Sequence, residues 1–202
     1  VKSIWSLAPM LIMLVLIFVP PLLTAVGIVR EKESGSIYNI YASTVSRGEF
    51  LLGKLAPYVA ISVVNVVVLW AIATQIFGAP FKGNPVIFLF ASALFVICTT
   101  GIGLLVSLMV RTQLAATVIT LILTMVPALE YSGFLMPVES LAGKGEIEAH
   151  LLPAMYYTNI VVGSFLKGGG LELLWPDILV LAVYAVCLFA LGYMLFSKRP
   201  KT

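Results

Sequence analysis

The 202 residues contain few groups that could do covalent chemistry: one histidine (His150), one aspartate (Asp177) and two cysteines (Cys98 and Cys187). A metal site needs three or four nitrogen, sulfur or oxygen ligands brought together, and no Cys/His cluster surrounds His150. Both cysteines fall inside apolar runs and read as small hydrophobes. A single aspartate excludes a di-aspartate intramembrane protease, and no Ser/His pair falls within the apolar runs. Gly143-Lys144-Gly145-Glu146 lacks the Gly-x4-Gly-Lys-Ser/Thr spacing that cradles phosphates. The chain is therefore expected to be no enzyme and to hold no metal or nucleotide of its own.

What the sequence does group is charge beside an apolar stripe. Arg30-Glu31-Lys32-Glu33 alternates in sign, and Ser34-Gly35-Ser36 then breaks the chain. Ile37, Ile40 and Tyr41 follow at i, i+3, i+4 spacing, which predicts a turn or two of amphipathic helix. Ser46-Arg47-Gly48-Glu49 fits a capping box, with Ser46 as N-cap and Glu49 reaching back to it. The chemistry on offer is noncovalent. Such a short helix can lie on lipid headgroups or insert into a groove on a soluble partner; a solvated connector is the plain alternative.

The elements that position this loop are set by composition. Hydrophobic residues make up 61% of the chain and charged residues 10%, with a mean hydropathy of +1.10. A soluble domain averages about 45–50% apolar and 25% charged residues, so the composition points to an integral membrane protein. A spanning helix takes about 20 mostly apolar residues. Five runs qualify: roughly Trp5–Val29, Leu55–Phe77, Val86–Val110, Leu114–Leu129 and Ile178–Phe196. None alternates in polarity as a barrel strand would, and in hydrocarbon the backbone must satisfy its own hydrogen bonds, so all five are expected to be helices. No span carries a charge near its centre, which argues against a proton relay or voltage sensor.

Five spans place Arg30, Lys32, Arg47, Lys54, Arg111, Lys198, Arg199 and Lys201 on one side, and Lys2, Lys82, Lys144 and Lys167 on the other. The basic side is expected to be cytoplasmic, with the C-terminus inside and the N-terminus outside. An outside N-terminus, in a chain that starts at Val1, is expected to follow another helix upstream.

The outer connection, residues 130–177, holds Tyr131-Ser132-Gly133-Phe134, Pro137, Pro153, Tyr156-Tyr157 and Gly168-Gly169-Gly170. Its apolar stretch Leu151–Leu166 is too short to span. Two short helices dipping into the outer leaflet are expected, with Ser132, Gly133, Pro137, Pro153 and Tyr156 as their marker residues and aromatics at the boundary. Within the spans, Thr99/Gly103/Ser107 and Ala116/Thr120/Thr124/Ala128 repeat every four residues, a spacing that lets helix backbones approach closely. Intrachain packing is the favoured reading over a subunit interface. Pro20-Pro21 and Pro127 are expected to disturb their helices, and Asn65 and Gln75 to face other helices.

The string Val29-Arg30-Glu31-Lys32-Glu33-Ser34-Gly35-Ser36-Ile37, followed by Ser46-Arg47-Gly48-Glu49-Phe50-Leu51-Leu52-Gly53-Lys54, resembles ABC-2 type exporter permeases. Thr99-Thr100-Gly101-Ile102-Gly103-Leu104-Leu105, Arg111-Thr112-Gln113-Leu114-Ala115-Ala116 and Ser132-Gly133-Phe134-Leu135-Met136-Pro137-Val138 are similar to the same family. The set lies closest to the branch with ribosome-associated ATPase-type fusions and stand-alone multidrug-type permeases.

The resemblance implies an all-α membrane domain over residues 1–202, whose five spans are helices two to six of a six-helix permease, lacking the first helix and the outer domain. It implies a cytoplasmic coupling loop at 30–54, with Arg30, Glu31, Lys32, Glu33, Gly35, Ile37, Ile40, Tyr41, Arg47 and Glu49 as the residues of the ATPase contact and its support. It also implies ABC ATPase partners that bind ATP and magnesium, a second permease copy, a bacterial inner-membrane location and no nucleic acid. The membrane half of an ATPase–permease fusion and a non-transporting membrane scaffold are the alternative readings.

Overall fold

A computed structural model of the chain describes residues 2–36, 45–131 and 152–196. Among these, every regular element is helical. In chain order they are α1 (Lys2–Glu33), α2 (Arg47–Ala71, continued by a π-helical turn, Ile72–Ile76), α3 (Pro85–Met109), α4 (Gln113–Tyr131), α5 (Pro153–Val162, continued by a second π-helical turn, Gly163–Lys167) and α6 (Leu171–Leu195). Four stretches are long and apolar enough to cross a membrane: Pro9–Glu33, Arg47–Ile76, Pro85–Met109 and Leu171–Leu195. The other expected span is α4. At 19 residues it is about 28 Å long, close to the ~30 Å of a hydrocarbon core.

The five expected spans are thus helices in the expected order, and the structure extends their ends. α2 starts at Arg47, as the Ser46 capping box predicts, and so leads through Phe50 and Leu51 into the apolar span expected from near Leu55. α6 starts at Leu171 rather than Ile178 and continues through Pro176, its sixth residue, at the loss of one internal N–H bond. This puts Asp177 inside the last helix instead of at its edge. α1 continues through Pro9, Pro20 and Pro21, and the Thr24 hydroxyl donates to the Pro20 carbonyl at 2.8 Å.

α1 and α3 form the centre of the bundle, α2 and α6 its periphery. Ile12, Met13, Leu16, Phe88, Phe95 and Val96 are buried, whereas Ile61, Val64, Val68, Val183, Val186 and Met194 are exposed. So much exposed apolar side chain fits a lipid surround, where the hydrophobic effect does not penalise it. The small residues lie at the close contacts. A Cβ on Gly103 would stand 2.3 Å from the Pro21 carbonyl oxygen, so the α3 stripe serves α1–α3 packing. Ala116, Thr120, Thr124 and Ala128 are also buried, on α4, which packs on α1. Asn65 is half-buried, but Gln75 is exposed, a correction to the expectation that it faces another helix. It lies in the π-helical turn at the end of α2, where the bundle opens to the outer loop.

α5 is 10 residues long, 15 with its π-helical turn, too short to span. Tyr157 anchors it inside the bundle. This ring is fully buried, stacks on Phe95 at 4.1 Å between centroids and shares a 2.8 Å hydrogen bond with Ser92. The Ser92 hydroxyl already donates to the Phe88 carbonyl, so the Tyr157 hydroxyl is the donor to Ser92. Ser92 is seven residues into α3, about 10 Å below its start. From that depth α5 rises to the end of the bundle opposite the α1–α2 connection, where the Lys82 and Gly83 N–H groups donate to the Ser164 carbonyl at 3.2 and 2.8 Å. Phe81, Phe88 and Phe165 close this end edge-to-face. Gly168, at φ 68°, then turns the chain into α6.

Candidate functional site

The polar elbow between α1 and α2 gathers most of the candidate residues. α1 carries its charges on the last turn, beyond the apolar run that ends at Val29. Ser34 and Ser36 hydroxyls donate to the Glu31 carbonyl at 3.2 and 3.3 Å, which ends the helix. Gly35 sits at φ 74°, where a Cβ is strained, so the expected chain break is real. Ile37, Ile40 and Tyr41 lie outside the described residues.

On the far side of the loop the capping box closes as expected. The Glu49 N–H donates to the Ser46 hydroxyl at 3.3 Å and the Ser46 N–H to the Glu49 carboxylate at 2.8 Å. The box satisfies two N–H groups that would otherwise lack partners at the helix start. Ser46→Ala is expected to cost about 1 kcal/mol of stability, read as a lowered thermal midpoint in detergent. Ser46→Asp, which keeps a capping oxygen, should hold the midpoint near that of the parent chain.

Three of the four charges on the last turn of α1 are engaged within the chain. Glu31 pairs with Lys54 of α2 at 2.5 Å, and the Lys54 ammonium also lies 6.0 Å above the Phe50 ring. The Lys32 ammonium donates to the Ser107 carbonyl near the end of α3. Glu33 accepts from the Gln113 N–H at 2.8 Å and from the Gln113 side-chain amide, at the start of α4. Arg30 and Arg47 are exposed. Phe50 stacks on Phe196 at the end of α6, 4.8 Å between centroids. The end of α1, the start of α2, the α3–α4 junction and the end of α6 therefore meet at one end of the bundle. Arg30, Lys32, Arg47, Lys54 and Arg111 share that end, while Lys82 and Lys167 flank the opposite loops.

This arrangement can carry force. The last turn of α1 is tied to α2 by an ion pair and to α3 and α4 by hydrogen bonds, so displacement of the elbow moves four helices together. That Lys54, Ser107, Gln113 and Phe196 meet the elbow was not readable in the sequence. Their partners lie far along the chain, up to 80 residues apart for Glu33 and Gln113, and no local spacing signals such pairs. Of the outer markers, Pro153 is buried at the first position of α5 and Tyr156 is half-buried, 6.4 Å from Tyr184 between ring centroids. Ser132, Gly133 and Pro137 lie outside the described residues.

Comparison with known proteins matches residues 2–194 to the ABC-2 family transporter protein profile. The chain is 27% identical over 191 residues to "Probable multidrug ABC transporter permease YbhS" of Escherichia coli K12, covering 95% of this chain and 51% of that protein. It is 25% identical over 183 residues to "Inner membrane transport permease YhhJ" of the same strain, covering 89% and 48%. With "ABC transporter G family member 20" of Dictyostelium discoideum it shares 26% identity over 202 residues, covering 99% and 28%. The chain spans about half the length of the bacterial relatives it matches. No solved structure matches. With a family match running from the start of α1 to the end of α6, over a bundle of apolar helices tied at a charged elbow, the chain belongs to the ABC-2 family of transporter proteins.

Proposed function

We propose that this chain is the C-terminal membrane part of the permease subunit of an ATP-driven exporter in a bacterial inner membrane, with its elbow and C-terminus on the cytoplasmic side. ABC ATPase subunits or domains bind ATP and magnesium and dock on the stretch around Ile37, Ile40 and Tyr41, and a second permease copy completes the path. The observation that carries this reading is the convergence of four helix ends on the loop that flanks residues 37–44. Closure of the ATPases moves the loop, Glu31, Lys32 and Glu33 pass that motion to α2, α3 and α4, and the helices tilt. Only contacts that differ between the two states can shift their balance, and exposed Arg30 and Arg47 supply such contacts at the docking face. The cargo is apolar and drug-like, in keeping with the apolar bundle and with relatives named as multidrug permeases.

The test is coupled turnover of the full transporter in vesicles. Ile37→Asp with Tyr41→Asp is expected to reduce export and substrate-stimulated ATP hydrolysis at least tenfold while the protein still inserts and folds. Unchanged turnover refutes the coupling role. Orientation is tested separately: single cysteines at Tyr41 and Lys201 should label with an impermeant reagent from the same, cytoplasmic face. Labelling from opposite faces refutes the topology.

A further inference from the structure

The single aspartate sits in the outer part of the last membrane helix. Asp177 lies six residues into α6, about 9 Å from its start, and is half-buried. Ionisable residues at such positions in a membrane helix are rare and are kept for a purpose. The neutral Asn159 side chain of α5 lies beside the carboxylate. Among the described residues no lysine or arginine forms an ion pair with it.

Asp177 continues into a stripe. Val180, Tyr184 and Cys187 follow on the same face of α6 at alternating three- and four-residue spacing, and with neighbouring residues they line a shallow apolar recess of about 200 Å³. From α5, Tyr156 approaches Tyr184, and Asn159 is exposed beside Asp177. One end of the stripe thus holds a carboxylate beside an amide and the Tyr156 ring, and the other end is an apolar hollow lined in part by Tyr184. The recess faces the surroundings of the bundle rather than the α1–α3 core.

We infer that the α5–α6 face is a binding site for lipophilic cations, with the positive group at Asp177 beside Tyr156 and the apolar body in the recess beside Val180, Tyr184 and Cys187. The charge follows from the carboxylate, and aromatic faces favour cations beside them. The required shape follows from the hollow one to two helical turns further along α6. The inference rests on the exporter reading only in making the bound cation a cargo, since binding is measured without ATP or partner turnover.

Two nearly isosteric ions of opposite charge provide the test. The full permease in phosphatidylcholine nanodiscs is titrated with tetraphenylphosphonium and, separately, tetraphenylborate, with empty nanodiscs as background. Saturable binding of the phosphonium and none of the borate is expected. Asp177→Asn should weaken phosphonium binding at least tenfold, and Asp177→Glu should keep it within about threefold of the parent. Val183→Trp, which fills the recess from an exposed position and leaves the carboxylate in place, should weaken it as well and guards against a folding defect of Asp177→Asn. Equal binding of both ions, or phosphonium binding untouched by Asp177→Asn and Val183→Trp, overturns the site. Loss of export with binding intact would count against the exporter reading alone.

Discussion

Gly103→Ala is expected to produce the largest loss of stability of any single methyl added to this bundle. A Cβ there would lie 2.3 Å from the Pro21 oxygen, 2.8 Å from its Cα and 2.9 Å from its carbonyl carbon, all backbone atoms of α1. Backbone in a packed helix cannot rotate away, so α1 and α3 must separate along a contact that includes Thr99 and Ser107, both fully buried. Overpacking costs about 1–3 kcal/mol, occasionally more, against roughly 1 kcal/mol that alanine returns in helix propensity. Because the contact is between backbones, the upper end of that cost applies, and a net loss of about 2 kcal/mol is expected. Two glycines serve as controls. At Gly27 the added methyl meets the end of the Tyr58 side chain, which can swing aside, and at Gly53 it meets nothing within 4 Å. Thermal unfolding in detergent should rank the variants Gly53→Ala highest, Gly27→Ala next and Gly103→Ala lowest. A midpoint for Gly103→Ala equal to that of Gly53→Ala would show that α1 and α3 do not meet at this point.

The legible parts of the molecule are those whose physics is local. Twenty apolar residues in a row can only be a helix in lipid, so α1, α2, α3 and α6 were open to reading from composition. The Ser46/Glu49 box and the Gly35 break depend on neighbours within four residues, and both formed as expected. The small-residue stripe of α3 was readable as a close contact, but not that Pro21 would be its partner. The start of α6 was misjudged because Glu172, Pro176 and Asp177 look like loop. The helix nevertheless runs through the proline, and the aspartate then becomes part of it.

What was not legible is the wiring of the elbow. The alternating run Arg30–Glu33 marked this place as polar without saying which charge faces which helix. On a helix, successive residues point about 100° apart, so Glu31, Lys32 and Glu33 address three different neighbours: Lys54 of α2, Ser107 of α3 and Gln113 of α4. Of the four consecutive charges, Glu31, Lys32 and Glu33 are therefore a fan of struts. Arg30, exposed like Glu33, is the one of the four with no such contact among the described residues. The division of labour follows from helix geometry once the neighbours are in place, and the placing of those neighbours is a property of the whole bundle.

That geometry predicts a charge-swap result. Glu31→Lys would set two ammonium groups where the structure has an ion pair at 2.5 Å, and Lys54→Glu would set two carboxylates there. The two side chains are 21% and 30% exposed, between the surface pairs worth about 0–1 kcal/mol and the buried pairs whose disruption costs about 3–5 kcal/mol. A cost near 2 kcal/mol follows, or about 30-fold in an equilibrium at 1.4 kcal/mol per tenfold. Since this strut joins the two ends of the elbow, the loss should appear in coupling before it appears in folding. Export and substrate stimulation of ATP hydrolysis should each fall about 30-fold in either single variant, with basal hydrolysis by the ATPases retained. The double variant Glu31→Lys/Lys54→Glu restores opposite charges across the same gap and should recover most of the lost coupling. Recovery is what separates a strut from two independently important residues, because two unrelated losses would add. A double variant as defective as the worse single one would mean that Glu31 and Lys54 do not act through each other.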